Sequence, residues 1–134
     1  MKVQLEGITL LANDVAALAS FYRDVIGFKT VVEEDDYVEF VNEGIRLAIC
    51  SKPLMADNTN QHYSFIEERK GQAFELNFEC DSPEEVYRLL GDWIEKGAAA
   101  ITEPTVKSWG HTTAFFADPE GNIHSIFAAN PSNF

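Results

Sequence analysis

An internal repeat restricts the fold of this chain more than any other feature of its sequence. Residues 7–28 read as a strand, a polar break, an amphipathic helix and a terminating glycine, and residues 75–98 repeat that order. Strand-like runs divided by a glycine turn follow each helix, at 37–50 and at 113–128. Each half of the chain therefore predicts one strand, one helix and further strands, a βαβββ module.

The repeat predicts a single α+β domain over 1–134, with module one at about 1–67 and module two at about 72–134. Residues 51–71 are polar and Asn-rich, and we expect this connector to join the modules rather than to form core. Three apolar side chains of the connector could form a short strand or a lid: Tyr63, Phe65 and Ile66.

The predicted helices, 15–26 and 83–95, carry apolar residues at helical spacing. Ser82 is placed to cap the second helix, Glu85 to complete a capping box, and Gly97 to end the helix. Because each helix has one apolar face, we expect both to pack on a sheet.

Charge argues against two classes of partner. The chain has 22 acidic and 10 basic side chains and a net charge of −12, which repels phosphate backbones and anionic lipid surfaces. We therefore expect neither nucleic acid nor a membrane as a partner. With no leader-like start and no long apolar run, we expect a cytoplasmic protein. Cys50 and Cys80 lie in apolar runs without C-x-x-C spacing, which predicts buried free thiols.

Three segments carry a resemblance to a known family: LLANDVAALASFYRDVIGF near the start, FELNFECDSPEEVYRLL at the centre and WGHTTAFFADPEGN near the end. Over nearly its whole length the chain resembles the vicinal oxygen chelate superfamily, which includes glyoxalase I, bleomycin-resistance proteins and extradiol dioxygenases. The resemblance implies tandem βαβββ modules that form a curved mixed sheet around a cavity. It also implies a homodimer, since such cavities are often completed by a second subunit.

The resemblance further implies a divalent metal held by the first and last strands of each module. The corresponding positions hold Gly7, Ala48, Glu75 and Ser125. Only Glu75 is a plausible metal ligand, and one carboxylate cannot assemble the three or four protein ligands of an enzymatic metal site. We therefore expect no metal, no other cofactor and no catalytic residue.

Strand alternation indicates which side chains line the cavity. Phe74, Leu76, Phe78 and Cys80 should face the helices, which leaves Glu75, Asn77 and Glu79 on the opposite face. The same phase adds Thr9, Arg46 and Ser125, and the resemblance implies that Trp109 and His111 lie at the mouth of the cavity. The predicted ligand-binding set is therefore Thr9, Arg46, Glu75, Asn77, Trp109, His111 and Ser125. The alternatives are a solvent-facing sheet surface for the whole set, a core position for Trp109 and a structural role for His111.

The other two histidines favour structural roles. His124 neighbours Ser125 on a strand, so its side chain should point away from the cavity, towards helix or solvent. His62 lies in the polar connector and should be a surface residue.

Two functional hypotheses follow. The first is a small-molecule binding protein, similar to the bleomycin-resistance branch, that sequesters a cationic or aromatic ligand without a metal. The alternative is a glyoxalase-like, metal-dependent lyase, isomerase or dioxygenase that acts on a small organic substrate and uses Glu75. Metal content distinguishes the two.

Overall fold

The computed structural model describes residues 3–131. The chain divides into two compact units, Met1–Lys70 and Gly71–Phe134. Each unit holds a four-stranded mixed sheet, and the two sheets have the same topology. The repeat in the sequence is thus a repeat in the structure, and the α+β class and the tandem modules are confirmed.

The first unit contains four strands: β1 (Gly7–Ala12), β2 (Thr30–Glu33), β3 (Tyr37–Phe40) and β4 (Arg46–Ser51). They are ordered β1-β4-β3-β2, with β1 parallel to β4 and the other neighbours antiparallel. Helix α1 (Val15–Ser20) follows β1 and continues as a π-helix over Phe21–Ile26.

The π-helix is the one departure from the predicted first helix. The N–H of Gly27 donates to the carbonyl oxygen of Tyr22, five residues earlier, at 3.1 Å. Gly27 has φ of 102°, a left-handed conformation that glycine adopts without strain, and the helix ends there. At the other end, the Asp14 carboxylate accepts a hydrogen bond from the N–H of Ala17 at 3.0 Å and caps α1.

The second unit contains β5 (Asn77–Glu79), α3 (Pro83–Glu95), β6 (Ala99–Val106), β7 (His111–Ala117) and β8 (Ile123–Ala129). Its strand order is β5-β8-β7-β6, with β5 parallel to β8. This is the order of the first sheet with each strand replaced by its counterpart.

Helix α3 has the bounds that the sequence predicts. The Ser82 hydroxyl accepts a hydrogen bond from the N–H of Glu85 at 3.3 Å, and Gly97 follows the last turn with φ of 122°. The capping box is only half formed, because the Glu85 carboxylate pairs with Arg88. Trp93 is buried and packs edge-on against Phe116, with 5.0 Å between ring centroids.

The connector contains more structure than predicted. Helix α2 (Lys52–Asn58) begins directly after β4, and the Ser51 hydroxyl caps it by accepting from the N–H of Leu54 at 3.1 Å. Ala56 is buried, so part of the connector does form core. Residues Tyr63–Phe65 form a 3₁₀ turn, not the strand that we considered.

One residue of the predicted helix-facing row lies outside the core. Phe74 is 59% exposed, whereas Leu76 is buried. The physical reason is that β5 begins only at Asn77, so strand alternation does not yet orient Phe74.

Both cysteines are free thiols: Cys50 is buried and Cys80 is half-buried. Burial raises the pKa of each thiol, which favours its protonated form. None of the helices found between residues 3 and 131 combines the length and apolar character required to cross a bilayer.

Candidate ligand-binding site

Strand register decides which predicted site residues share a face. In the first unit Gly7 lies opposite Arg46 and Thr9 opposite Ala48, so Thr9 and Arg46 are on one face of the sheet. The alternate residues of these strands are buried, among them Leu10, Leu47 and Ile49. Thr9 and Arg46 thus share a face as predicted, but burial does not distinguish the two faces of β4, because Ala48 and Cys50 on the face of Arg46 are buried as well.

Arg46 is held by a hydrogen-bonded network that sequence reasoning missed. Its Nε donates to Glu6 Oε2 at 2.8 Å and its Nη2 to Glu6 Oε1 at 3.1 Å. Its Nη1 donates to the Tyr37 hydroxyl at 3.0 Å, and that hydroxyl donates to Glu39 Oε1 at 2.8 Å. Alternation along β3 could have indicated Tyr37 and Glu39, since both lie on the face of Arg46.

The network also affects ionisation. The hydrogen bond from Arg46 lowers the pKa of Glu6, and burial, followed by the hydrogen bond to Glu39, raises the pKa of Tyr37. An open groove of about 460 Å³ lies beside the network. Its lining includes charged and apolar side chains, among them Leu5, Glu6, Val31, Glu39 and Arg46.

The Arg46 side chain also fills the space around Gly7. A Cβ atom on Gly7 would lie 2.8 Å from Arg46 Nη2 and 2.9 Å from the Arg46 carbonyl oxygen. Gly7 is thus required by a close approach, and no side chain fits at this position unless the backbone of β4 shifts.

In the second unit, three predicted residues share one face of the sheet: Asn77, His111 and Ser125. The Ser125 hydroxyl is buried and donates to Asn77 Oδ1 at 2.7 Å. The His111 ring stacks on Phe127, with 4.7 Å between ring centroids and 21° between planes. This face is therefore part polar and part aromatic.

A second row of residues crosses the same face. Glu79 lies opposite Phe127 on β8, and Phe127 lies opposite Thr113 on β7. Neighbouring strands are about 4.8 Å apart, so the row places a carboxylate, a ring and a hydroxyl within about 10 Å. Glu79 is exposed, whereas Thr113 is only 5% exposed.

Glu75 and Trp109 lie near opposite ends of this sheet. Glu75 precedes β5 at the level of Ile123, since Asn77 pairs with Ser125, and Trp109 lies in the turn before His111, which pairs with Ala129. The span from 123 to 129 corresponds to about 20 Å of strand. The expectation that Glu75 and Trp109 contact one ligand stays a prediction, and it requires a ligand that bridges much of this distance.

Trp109 is not a core residue. Its side chain is 64% exposed, and the following Gly110 has φ of 90°, as the tight turn requires. The core alternative for Trp109 is excluded, and the indole is accessible to a ligand.

His124 contacts two loops, the segment before β5 and the turn between β7 and β8. Its Nδ1 accepts a hydrogen bond from the N–H of Leu76 at 3.0 Å, and its Nε2 lies 3.4 Å from Asp118 Oδ2. Asp118 also accepts from the backbone N–H groups of Glu120 and Asn122, each at 3.0 Å. The role of His124 is structural, as predicted, and Asp118 organises the turn between β7 and β8.

The side chains at the four metal-ligand positions implied by the family do not fit a divalent cation. Gly7 and Ala48 have no donor atom, and the hydroxyl of Ser125 is engaged with Asn77, which leaves Glu75. Within residues 3–131, no three His, Cys, Asp or Glu side chains come together as a group that could hold a metal ion.

Comparisons with known proteins agree with this architecture. A family model described as the Glyoxalase/Bleomycin resistance protein/Dioxygenase superfamily matches residues 4–125. No curated protein matches the chain.

Solved structures resemble the chain in fold. A glyoxalase/bleomycin resistance protein/dioxygenase family enzyme from Burkholderia phytofirmans PsJN is similar at a TM-score of 0.85 and 22% identity, over 95% of this chain and 99% of that chain. A lactoylglutathione lyase from Agrobacterium tumefaciens is similar at a TM-score of 0.69 and 19% identity, over 96% of this chain and 95% of that chain. At these identities the likeness shows the fold alone. From the family match and the repeated βαβββ topology, the chain belongs to the Glyoxalase/Bleomycin resistance protein/Dioxygenase superfamily.

Proposed function

We propose that the protein binds a small organic cation with an aromatic ring, without a metal and without transforming it chemically. Such a role resembles that of the bleomycin-resistance branch of the superfamily. The observation that carries the proposal is the set of side chains at the four positions where a metal-dependent relative needs ligands.

The first unit offers no place for a metal-binding side chain at residue 7. The guanidinium of Arg46 lies where a side chain of residue 7 would stand, and it brings a permanent positive charge to that position. A cation nearby would be repelled by this charge. Glu6 balances the charge of Arg46, but both of its oxygens are engaged by the guanidinium.

The second unit supports an organic cation as the ligand. Glu79 supplies a carboxylate beside the ring of Phe127, and the net charge of −12 favours the approach of a cation. Phe127 offers a surface for an aromatic ring, and the exposed indole of Trp109 adds a second at the end of the sheet. We place the site on this face, with His111, Ser125 and Asn77 as its polar surroundings.

A titration with 4-ethyl-N,N,N-trimethylanilinium tests the ligand class, because this probe combines a fixed positive charge with one ring. The proposal expects Glu79→Gln to weaken binding and Glu75→Gln, which removes the same charge at the far end of the sheet, to leave it nearly unchanged. Trp109→Ala should weaken binding by about 1–3 kcal/mol if the indole contacts the ligand.

Elemental analysis tests whether the protein is free of a bound metal, as the proposal states. Protein purified without chelator should contain far less than one equivalent of zinc, nickel, manganese or iron. Stoichiometric metal that is lost on Glu75→Ala would overturn the proposal in favour of a metal-dependent enzyme.

We also propose that the protein is a homodimer. Each sheet ends in edge strands, and β6 is exposed along nearly its whole length, so unpaired backbone groups are available to a partner. Light scattering at micromolar concentration should give a mass near twice 15.0 kDa. A single species at the mass of one chain contradicts the dimer.

A further inference from the structure

Thr113 carries a buried hydroxyl without a partner in the second sheet. Its Oγ1 is buried and makes no hydrogen bond within residues 3–131, although the side chain is only 5% exposed. A buried hydroxyl that makes no hydrogen bond costs free energy relative to a methyl group of the same shape. Valine, which also favours strands, would avoid that cost at this position.

The neighbouring threonines of this sheet are used differently. Thr112 is equally buried on the opposite face, and its hydroxyl donates to Asn130 Oδ1 at 2.5 Å. Thr102 accepts from the N–H of Phe115 at 3.1 Å, and Thr105 donates to the Glu103 carbonyl at 3.1 Å. Thr113 is therefore an exception that the packing of its own sheet does not explain.

The position of Thr113 points to a ligand. It lies on the face of the proposed site, directly opposite Phe127, and Phe127 lies directly opposite Glu79. The row thus offers a carboxylate at one end, a ring in the middle and an unused hydroxyl at the other end.

Resting on the proposed function, we infer that Thr113 is the hydrogen-bond donor of the site, and that the ligand carries a neutral acceptor, such as a carbonyl oxygen, across its ring from the positive charge. The cation pairs with Glu79, the ring takes the place of His111 against Phe127, and the neutral acceptor accepts a hydrogen bond from the Thr113 hydroxyl. The row is about 10 Å long, which matches a single ring with one substituent at each end.

His111 is the side chain that a ligand ring would displace from Phe127. Its ring is only partly buried and covers Phe127 from the first position of β7, two residues before Thr113. Moving this one side chain uncovers the ring of Phe127, which lies directly opposite Thr113.

A pair of matched probes tests the inference: 4-acetyl-N,N,N-trimethylanilinium, which has the acceptor, and 4-ethyl-N,N,N-trimethylanilinium, which does not. The acetyl probe should bind the wild-type protein about three- to tenfold more tightly, as one neutral hydrogen bond predicts. Thr113→Val should abolish this preference, and Thr112→Val, which removes a paired hydroxyl from the opposite face, should retain it.

Melting temperatures give an independent readout in the absence of any probe. Thr113→Val should leave the melting temperature unchanged or raise it, whereas Thr112→Val should lower it by several degrees. Thr113→Ser should keep the preference for the acetyl probe.

The outcomes separate the two proposals. If both probes bind wild type equally, or if Thr113→Val keeps the preference, the role of Thr113 is wrong while the cation site stands. If Thr113→Val lowers the melting temperature as much as Thr112→Val, the hydroxyl has an internal partner, and the inference is overturned. If neither probe binds, the proposed ligand class is wrong, and the inference fails with it.

Discussion

Gly7 and Arg46 are matched by shape: a Cβ atom on Gly7 would lie 2.8 Å from the Nη2 of Arg46 and 2.9 Å from its carbonyl oxygen. The two residues lie opposite each other on the parallel pair β1 and β4. The contact leaves no room for a side chain at residue 7, the position where the family resemblance implies a metal ligand.

Gly7→Ala should destabilise the protein by about 1–3 kcal/mol, because the guanidinium can move but the carbonyl of β4 cannot. Urea unfolding measures the change. Gly91→Ala is the matched control: Gly91 lies within α3, a Cβ there meets nothing within 4 Å, and the substitution should be neutral or stabilise by up to about 1 kcal/mol. Equal effects at the two glycines would show that the close contact at Gly7 has no energetic consequence.

His124→Ala should destabilise the protein by about 1–3 kcal/mol, since it leaves the buried N–H of Leu76 without an acceptor and removes the imidazole beside Asp118. Chemical denaturation compares it with His62→Ala. His62 is exposed, and its Nδ1 accepts a hydrogen bond from the N–H of Ser64 at 3.2 Å in a short turn, so its loss should destabilise the protein less than the loss of the buried His124. A neutral His124→Ala would contradict the structural role of this histidine.

Acid should weaken the network around Arg46. The hydrogen bond from Arg46 lowers the pKa of Glu6 below its ordinary value of 4.5. A depressed pKa in the folded state contributes stability that is present above the unfolded value and is lost as the pH falls through the folded value. Glu6→Gln should therefore lower the melting temperature at pH 7 and have a smaller effect at pH 3.

The exposed Glu43, in the turn between β3 and β4, provides the control for that pH series. Glu43→Gln removes the same charge without touching Arg46 and should change stability little at either pH. If Glu6→Gln and Glu43→Gln give the same pH dependence, the ion pair with Arg46 does not contribute.

Local signals were sufficient for much of the fold. The first and last residues of helix α3 could be predicted, because Ser82 caps the helix, an apolar stripe faces the sheet and Gly97 follows its last turn. Helix α2 has a similar start, a capping serine with a proline at the second helical position, but its seven residues are too few to show a period. The π-helix depends on hydrogen bonds five residues apart, for which the sequence has no marker.

The candidate site depended more on register than on sequence. Glu6 and Arg46 are 40 residues apart, and only the pairing of β1 with β4 brings them together. That the hydroxyl of Thr113 makes no hydrogen bond can likewise be recognised only from the coordinates of the atoms around it. Alternation did place Asn77 and Ser125 on one face, but it could not measure the distance between Glu75 and Trp109.

Calorimetric titration of 4-ethyl-N,N,N-trimethylanilinium into the protein, before and after treatment with EDTA, tests the central claim most directly. Metal-independent binding predicts one site per chain and the same dissociation constant in both samples, with no change when zinc is added back. Binding that is lost on EDTA treatment and restored by one equivalent of zinc would contradict it.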